Sequence, residues 1–308
     1  MKRCLITYKD LPTESAYEYD PNAGKALFGT WPPPIVNINL AELEAIAREQ
    51  VNRHLSVTGA QKKLSASISK KNDIRTLLFS EGNSEFIFKV PIEEYPELPT
   101  LEALSMQLAG ALSIKTAQSG LVRTDAGELC YLTRRFDRKP NGERLHVEDF
   151  AQILEVPSED KYRGSHERIA KAILQHCSPL ELSRYYQLML FCFLTGNEDM
   201  HLKNFMLVTD DMNNITLSPA YDLVPSGLYL KHEELALTLN GKRNQIKRRD
   251  FLLFEDKFQL TGVLDRFLTF TGRRIDKLEA LIRSSFVGSK LQKELLELFR
   301  ERFARLQP

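Results

Sequence analysis

Apolar residues fall at two different periods along this chain, and the exchange of one period for the other organises it. In residues 85–91 they alternate: Phe86, Phe88 and Val90 point one way, Ile87 and Lys89 the other. That predicts a strand with a lysine on its second face. Residues 129–133, Leu-Cys-Tyr-Leu-Thr, predict another strand, and Phe205-Met-Leu-Val208 a third. Elsewhere the spacing is helical. Leu40, Leu43, Ile46 and Ala47 share one side of a helix over 40–51, with Glu42, Glu44 and Arg48 opposite. Thr100 is placed to cap a helix over 101–112 that turns Leu101, Leu104, Leu108 and Ala111 inward and carries Glu102 in its first turn. Ser178-Pro-Leu-Glu181 has the form of a capping box with proline at the first helical position, opening a helix through the apolar run 186–194. Ser289-Lys-Leu-Gln292 opens a last helix with Leu291, Leu295, Leu298 and Phe299 toward the core. Residues 1–34 read as loose structure: a short strand around 5–8, a turn at Asp20-Pro-Asn-Ala-Gly24 and a stiff Trp31-Pro-Pro-Pro34 connector.

Length and composition narrow the class. A chain of 308 residues fits one large domain or two lobes sharing a cleft. With 43% hydrophobic residues it can bury a sizeable core, and a net charge of +1 gives no argument for nonspecific nucleic-acid binding. Cys4, Cys130, Cys177 and Cys192 are scattered without a C-x-x-C pair, so they read as reduced thiols rather than a disulfide frame or a zinc knuckle. The opening Met1-Lys-Arg-Cys-Leu-Ile-Thr-Tyr has too short an apolar run for a signal peptide, and no stretch reaches the length of a membrane span. A cytoplasmic protein is expected.

The chemistry gathers around Thr195-Gly-Asn-Glu-Asp-Met-His-Leu-Lys-Asn204, where Asp199 and Asn204 stand five positions apart between a helix and a strand. That is the D-x-x-x-x-N spacing of a protein-kinase catalytic loop. Asp199 would take or orient the proton of an acceptor hydroxyl, and the Asn204 amide oxygen would hold a magnesium ion. Asp222, in Pro219-Ala-Tyr-Asp222 after a hairpin-like interval, supplies a second metal-binding group, although Leu223-Val224 replaces the usual Phe-Gly. Taken alone, each feature has a plainer reading as turn, cap or structural histidine. A sharper rival is metal-assisted hydrolysis, with Asp199, His201 and Asp222 as ligands. Upstream residues favour the kinase order. Ser56-Val-Thr-Gly-Ala-Gln-Lys-Lys63 can cover phosphates with backbone N–H groups, though with one glycine it also reads as an ordinary hairpin turn. Lys89 can grip phosphates, Glu102 can pair with it or merely suit its helix dipole, and residues 134–137 follow a strand as a hinge would. Backbone groups there can bind an adenine edge and Asp137 a ribose. Lys242, Arg243, Lys247, Arg248 and Arg249 form a basic cluster, read as a solvated loop or a docking site for an acidic partner.

These segments, with Phe88-Lys-Val-Pro91, Arg135-Phe-Asp-Arg138 and His146-Val-Glu-Asp-Phe-Ala-Gln152, resemble the HipA family of toxin kinases from about 56 to 225. The resemblance implies an α+β, bilobal protein-kinase-like fold. Its divisions here would be an N-terminal extension (1–34), a β-rich N-lobe with phosphate loop and hinge (35–137) and a mainly helical C-lobe (138–308). It implies ATP and Mg2+ as cofactors and serine/threonine phosphorylation of an aminoacyl-tRNA synthetase. Thr58, Gly59, Ala60, Gln61, Lys62 and Lys63 match the ATP loop, Lys89 the phosphate lysine, and Arg134, Arg135 and Phe136 the hinge. Asp199 matches the catalytic base, Asn204 and Asp222 the metal ligands, with His201 and Tyr221 lining the site. Ser56 matches the autophosphorylated position, and Thr58, two positions on and facing the same way in an extended segment, is a second candidate. Arg134 stands where an acidic residue can occur, and the stretch before Ser56 does not match long relatives. The short, HipT-like form is therefore expected, with a HipS-like small protein supplying an N-terminal subdomain against an exposed apolar patch, and a helix-turn-helix HipB-like protein reading DNA. A small-molecule or lipid kinase, or an inert kinase-like binding protein, stays open as an alternative.

Overall fold

The computed structural model describes residues 2–39, 42–43, 63–79, 84–139, 141–230 and 233–308. Two compact units emerge: Met1–Gln107 with Ala117–Glu143 and Ser284–Val287, and Leu108–Thr116 with Arg144–Arg283 and Gly288–Pro308.

The first unit is built on a five-stranded sheet of order β2-β1-β3-β5-β4. Its strands are β1 (Lys63–Lys71), β2 (Ile74–Phe79), β3 (Phe86–Lys89), β4 (Ser119–Arg123) and β5 (Leu129–Arg134), and all neighbours are antiparallel. The alternation in β3 does what its spacing predicts, since Phe86, Phe88 and Val90 are all wholly buried. Helix α1 (Pro21–Phe28) is capped by Asp20, whose side chain accepts from the backbone of Asn22 and Ala23. Residues 1–34 are not loose. Cys4, Ile6, Leu11, Leu27 and Phe28 join Leu64, Ala66, Phe86 and Phe88 in one core. The expected strand at 5–8 is instead a turn, closed by an Arg3–Asp10 bridge and a bond from the Tyr8 N–H to the Cys4 carbonyl. Of the helix expected over 40–51, only Glu42 and Leu43 are described, with reciprocal Asn39–Glu42 backbone-to-side-chain bonds. Helix α2 (Leu98–Ala111) begins earlier than expected, and Thr100, placed within it, donates to the Glu97 carbonyl rather than capping.

The second unit is mainly helical. A three-stranded sheet of β6 (His146–Asp149), β7 (Met206–Thr209) and β8 (Ile215–Leu217) carries the short helix α3 (Phe150–Ile153), capped reciprocally by Asp149 and Gln152. Helices α4 (His166–His176) and α5 (Pro179–Thr195) follow α3. Every residue from Leu188 to Thr195 is buried, so this end of α5 is a core element rather than an amphipathic one. Its capping box does not form: Glu181 turns inward to Arg184 and the Leu217 N–H, which satisfy a buried carboxylate better than a chain terminus exposed to water. Gly196 (φ 73) ends the helix in a conformation that costs glycine little. The last helices are α6 (Arg248–Lys257), α7 (Val263–Gly272), α8 (Ile275–Ser284) and α9 (Ser289–Leu306), the last capped at Gly288, one residue before the expected serine.

Candidate active site

Within the first unit, Lys89 ends β3 opposite Lys63 on β1 and Tyr131 on β5. Its ammonium lies 2.6 and 2.7 Å from the two carboxylate oxygens of Glu102 on α2, and 5.5 Å from the Tyr131 ring centre. Both partners are buried, at 3% and 1% exposure. Glu102 thus does more than complement a helix dipole. The hinge candidates divide. Arg134 lies over the Phe86 ring, and its guanidinium fills the space a side chain on Gly29 would need, so it packs structure together. Arg135 grips Asp137 through two bonds of 3.0 and 2.8 Å, and Arg138 adds a third. Burial pushes the Asp137 carboxyl up, but these guanidiniums outweigh it and hold its pKa below the ordinary value. Asp137 therefore spends its carboxylate first on two arginines at the hinge segment. Ser56, Thr58, Gly59, Ala60, Gln61 and Lys62 lie outside the described residues; Lys63 is the exposed first residue of β1.

Within the second unit, residues 196–205 run from the end of α5 to β7 as a loop closed on itself. The Asn204 amide nitrogen donates to the Asp199 carbonyl at 2.9 Å, and the His201 N–H donates to the same oxygen at 2.8 Å. Asn197, wholly enclosed, accepts from the Asp199 N–H at 3.2 Å. These bonds fix the backbone under a half-buried Asp199 carboxylate. With its nitrogen committed to the loop, the Asn204 side-chain oxygen is the atom that could meet a cation. Asp222 follows the β7–β8 hairpin and holds φ 56, a left-handed conformation that costs a non-glycine residue about 1 kcal/mol or more and is concentrated at functional sites. Tyr221 donates to the Lys203 carbonyl at 2.8 Å, tying this segment to the loop. Burial, then the charges of Asp222 and Asp149, hold its phenol protonated well above the usual range.

Two contributors carry no signal in the sequence. Tyr162, 37 positions upstream, donates its hydroxyl hydrogen bond to Asp199 Oδ1, and its ring stands edge-on to His201 at 5.1 Å. Burial, then the bond to Asp199 and the charges of Asp199 and Asp222, raise the Tyr162 phenol, so both carboxylates bear on one hydroxyl. The second is Arg302 on α9. It bonds Glu198, the neighbour of Asp199, at 3.2 Å and the Phe193 carbonyl at 2.8 Å.

The donors Asn204 and Asp222 are an amide and a carboxylate oxygen. Such hard ligands suit Mg2+, which takes one or two carboxylates and completes its shell with water and phosphate. Among the described residues no group of three His, Cys, Asp or Glu is gathered for a metal, so the set needed for a zinc-type hydrolase is not found there. In the basic cluster Lys242, Lys247 and Arg249 are exposed, as a solvated segment requires, while Lys242 pairs with Asp250, Arg243 with Glu233 and Arg248, at the start of α6, with Asp265.

Residues 55–297 match the HipA-like C-terminal domain family. The chain belongs to this family. Its relatives include the Sinorhizobium fredii protein named "Putative kinase Y4dM" (32% identity, 66% of this chain, 52% of that protein). A Haemophilus influenzae protein named "Putative kinase" is 26% identical over 84% of both chains. The serine/threonine-protein kinase toxin HipA of Shewanella oneidensis is 28% identical over 72% of this chain and 55% of its own length. The match thus spans about half the length of the Sinorhizobium and Shewanella relatives. Among solved structures, the Shewanella oneidensis HipA, HipB and operator DNA complex superposes with TM-score 0.65 over 90% of this chain and 72% of that one, at 22% identity. The Helicobacter pylori proinflammatory kinase CtkA gives 0.55 over 78% of this chain and 93% of that one, at 14% identity. The fold is therefore the α+β protein-kinase-like one, with a small β-rich unit and a larger helical one.

Proposed function

We propose that this HipA-like chain is an ATP- and Mg2+-dependent serine/threonine protein kinase and the toxin of a toxin–antitoxin pair. The observation that carries the reading is the buried Lys89–Glu102 pair. Burying two charges costs more than an apolar pair would, so such a pair is a poor structural device. It is, however, what a lysine needs to be aimed at the α- and β-phosphates of a nucleotide. Asp199 receives the proton of the acceptor hydroxyl while that oxygen attacks the γ-phosphorus; the bond from phosphorus to the β-phosphate oxygen breaks and ADP leaves. The loop bonds of Asn197 and Asn204 hold the Asp199 backbone so that little reorganisation is needed at that moment. Asn204 and Asp222 would hold the cation, which supplies charge neutralisation at the phosphate oxygens.

The acceptor we propose is an aminoacyl-tRNA synthetase, with phosphate also placed on Ser56 or Thr58 of the chain itself. About −1.5 to −2 charges there would repel a nucleotide's phosphates and quench activity. A HipB-like antitoxin is supported by the HipB-bound Shewanella relative. For a small HipS-like partner we propose the sheet edge of the first unit where Ile35, Ile74 and Leu78 are exposed and Ile35 bridges Thr76. Drawing on cellular ATP, the protein would act in the cytoplasm. Phosphopeptide mass spectrometry of cells expressing the chain or its Asp199→Asn variant tests the substrate. The expected result is phosphate on a synthetase and on the Ser56–Thr58 segment with the parent only. Identical phosphopeptides in both would overturn it.

A further inference from the structure

An acceptor hydroxyl must donate a hydrogen bond to the catalytic carboxylate before it can lose its proton, at a heavy-atom distance near 3 Å. In this structure a hydroxyl already stands on that carboxylate: Tyr162 donates to Asp199 Oδ1. We infer that Tyr162 is a placeholder, occupying the acceptor's position on Asp199 and leaving it when substrate binds. The inference rests on the proposed role of Asp199 as the base.

The surroundings fit a group that is held yet releasable. Tyr162 is 37% exposed, so it is not a core residue, and its ring meets the edge of His201 and, at 5.2 Å, the Lys161 ammonium. Its segment is tied to the catalytic loop by polar bonds on both sides. The Leu202 N–H donates to the Lys161 carbonyl at 3.2 Å, Lys203 reaches the Ser158 hydroxyl at 2.9 Å, and Arg243 donates to the Tyr162 carbonyl. Gly164 lets the segment lie close, since a Cβ there would stand 2.8 Å from the Leu202 side chain. These bonds fix the backbone and leave the side chain free to rotate about χ1 into solvent without opening the core. The raised phenol pKa keeps the hydroxyl a donor across the physiological range.

A placeholder and an orienting residue predict opposite signs. If Tyr162 merely oriented Asp199, removing its hydroxyl would slow transfer. If it holds the acceptor's place, removal lets another hydroxyl in. Water provides an acceptor of known chemistry: its oxygen attacks the γ-phosphorus, the bond to the β-phosphate oxygen breaks, ADP leaves and the proton passes to Asp199. The test is phosphate release from MgATP by the full chain, its Tyr162→Phe, Arg243→Met and Asp199→Asn variants. Tyr162→Phe is expected to raise kcat for release about tenfold, the worth of one charge-assisted hydrogen bond, with KM for ATP unchanged. Arg243→Met, which loosens the segment without touching Asp199, should shift kcat the same way and keeps the test open if Tyr162→Phe misfolds. Release that Asp199→Asn abolishes but Tyr162→Phe leaves equal or slower would overturn the placeholder and spare the base. Release undiminished by Asp199→Asn would overturn the role of Asp199, and the inference with it.

Discussion

Lys89 and Glu102 meet where water barely reaches, and a buried ionisable group is tolerable only with a complementary partner beside it. Lys89→Met should therefore do two separable things. It removes the cation proposed for the phosphates, and it takes the ammonium away from a buried carboxylate, costing about 3–5 kcal/mol of stability. Adding Glu102→Leu should recover most of that stability but none of the transferase activity. Urea unfolding of the single and double variants, read beside their activity, checks this. A double variant as unstable as the single one would show that the stability lost was not that of the broken ion pair. At the same scale, the positive φ of Asp222 makes Asn the informative replacement there, because it keeps the left-handed backbone and removes only the charge.

At the scale of elements, α9 reaches the catalytic loop through one guanidinium. Arg302 and Glu198 have side chains only 5% and 7% exposed. Burial raises the Glu198 carboxyl above its ordinary value of 4.5 and lowers Arg302 below its own, so desolvation outweighs the pairing for both. Arg302→Met should cost about 3–5 kcal/mol at neutral pH. A carboxyl whose folded pKa lies above its unfolded one destabilises once ionised, so this loss should shrink as pH falls toward 4.5. A loss independent of pH, followed by chemical denaturation, would remove Glu198 from the explanation. Neither this link nor Tyr162 is legible in the sequence, because both join positions far apart in the chain that no local spacing relates. What local spacing does relate came through. The alternation of Phe86, Phe88 and Val90 puts Lys89 on the opposite face of β3, and the apolar run 186–194 makes a buried helix ending at Gly196. The residues misread, 1–34, lack a period: Ile6, Leu11, Leu27 and Phe28 reach the core by turns and a short helix that binary pattern does not encode. Caps were misread for another reason. Glu181 has the right spacing for a box, but buried partners in Arg184 and Leu217 compete for it and win.

Across the whole molecule, kinase relatives and the HipA fold account for its class, and among the described residues no helix is long and apolar enough to cross a membrane. In the proposed reading, Asp199, Asn204 and Asp222 form a phosphoryl-transfer site. It is tested most directly by incubating the purified chain with γ-labelled ATP, with and without Mg2+, and following label on protein. The parent should transfer phosphate only with the metal. Asp199→Asn and Asp222→Asn, folded by circular dichroism, should fall by about a thousandfold or more, since transfer rests on positioning and charge neutralisation. Label incorporated as fast by Asp222→Asn as by the parent would contradict the account.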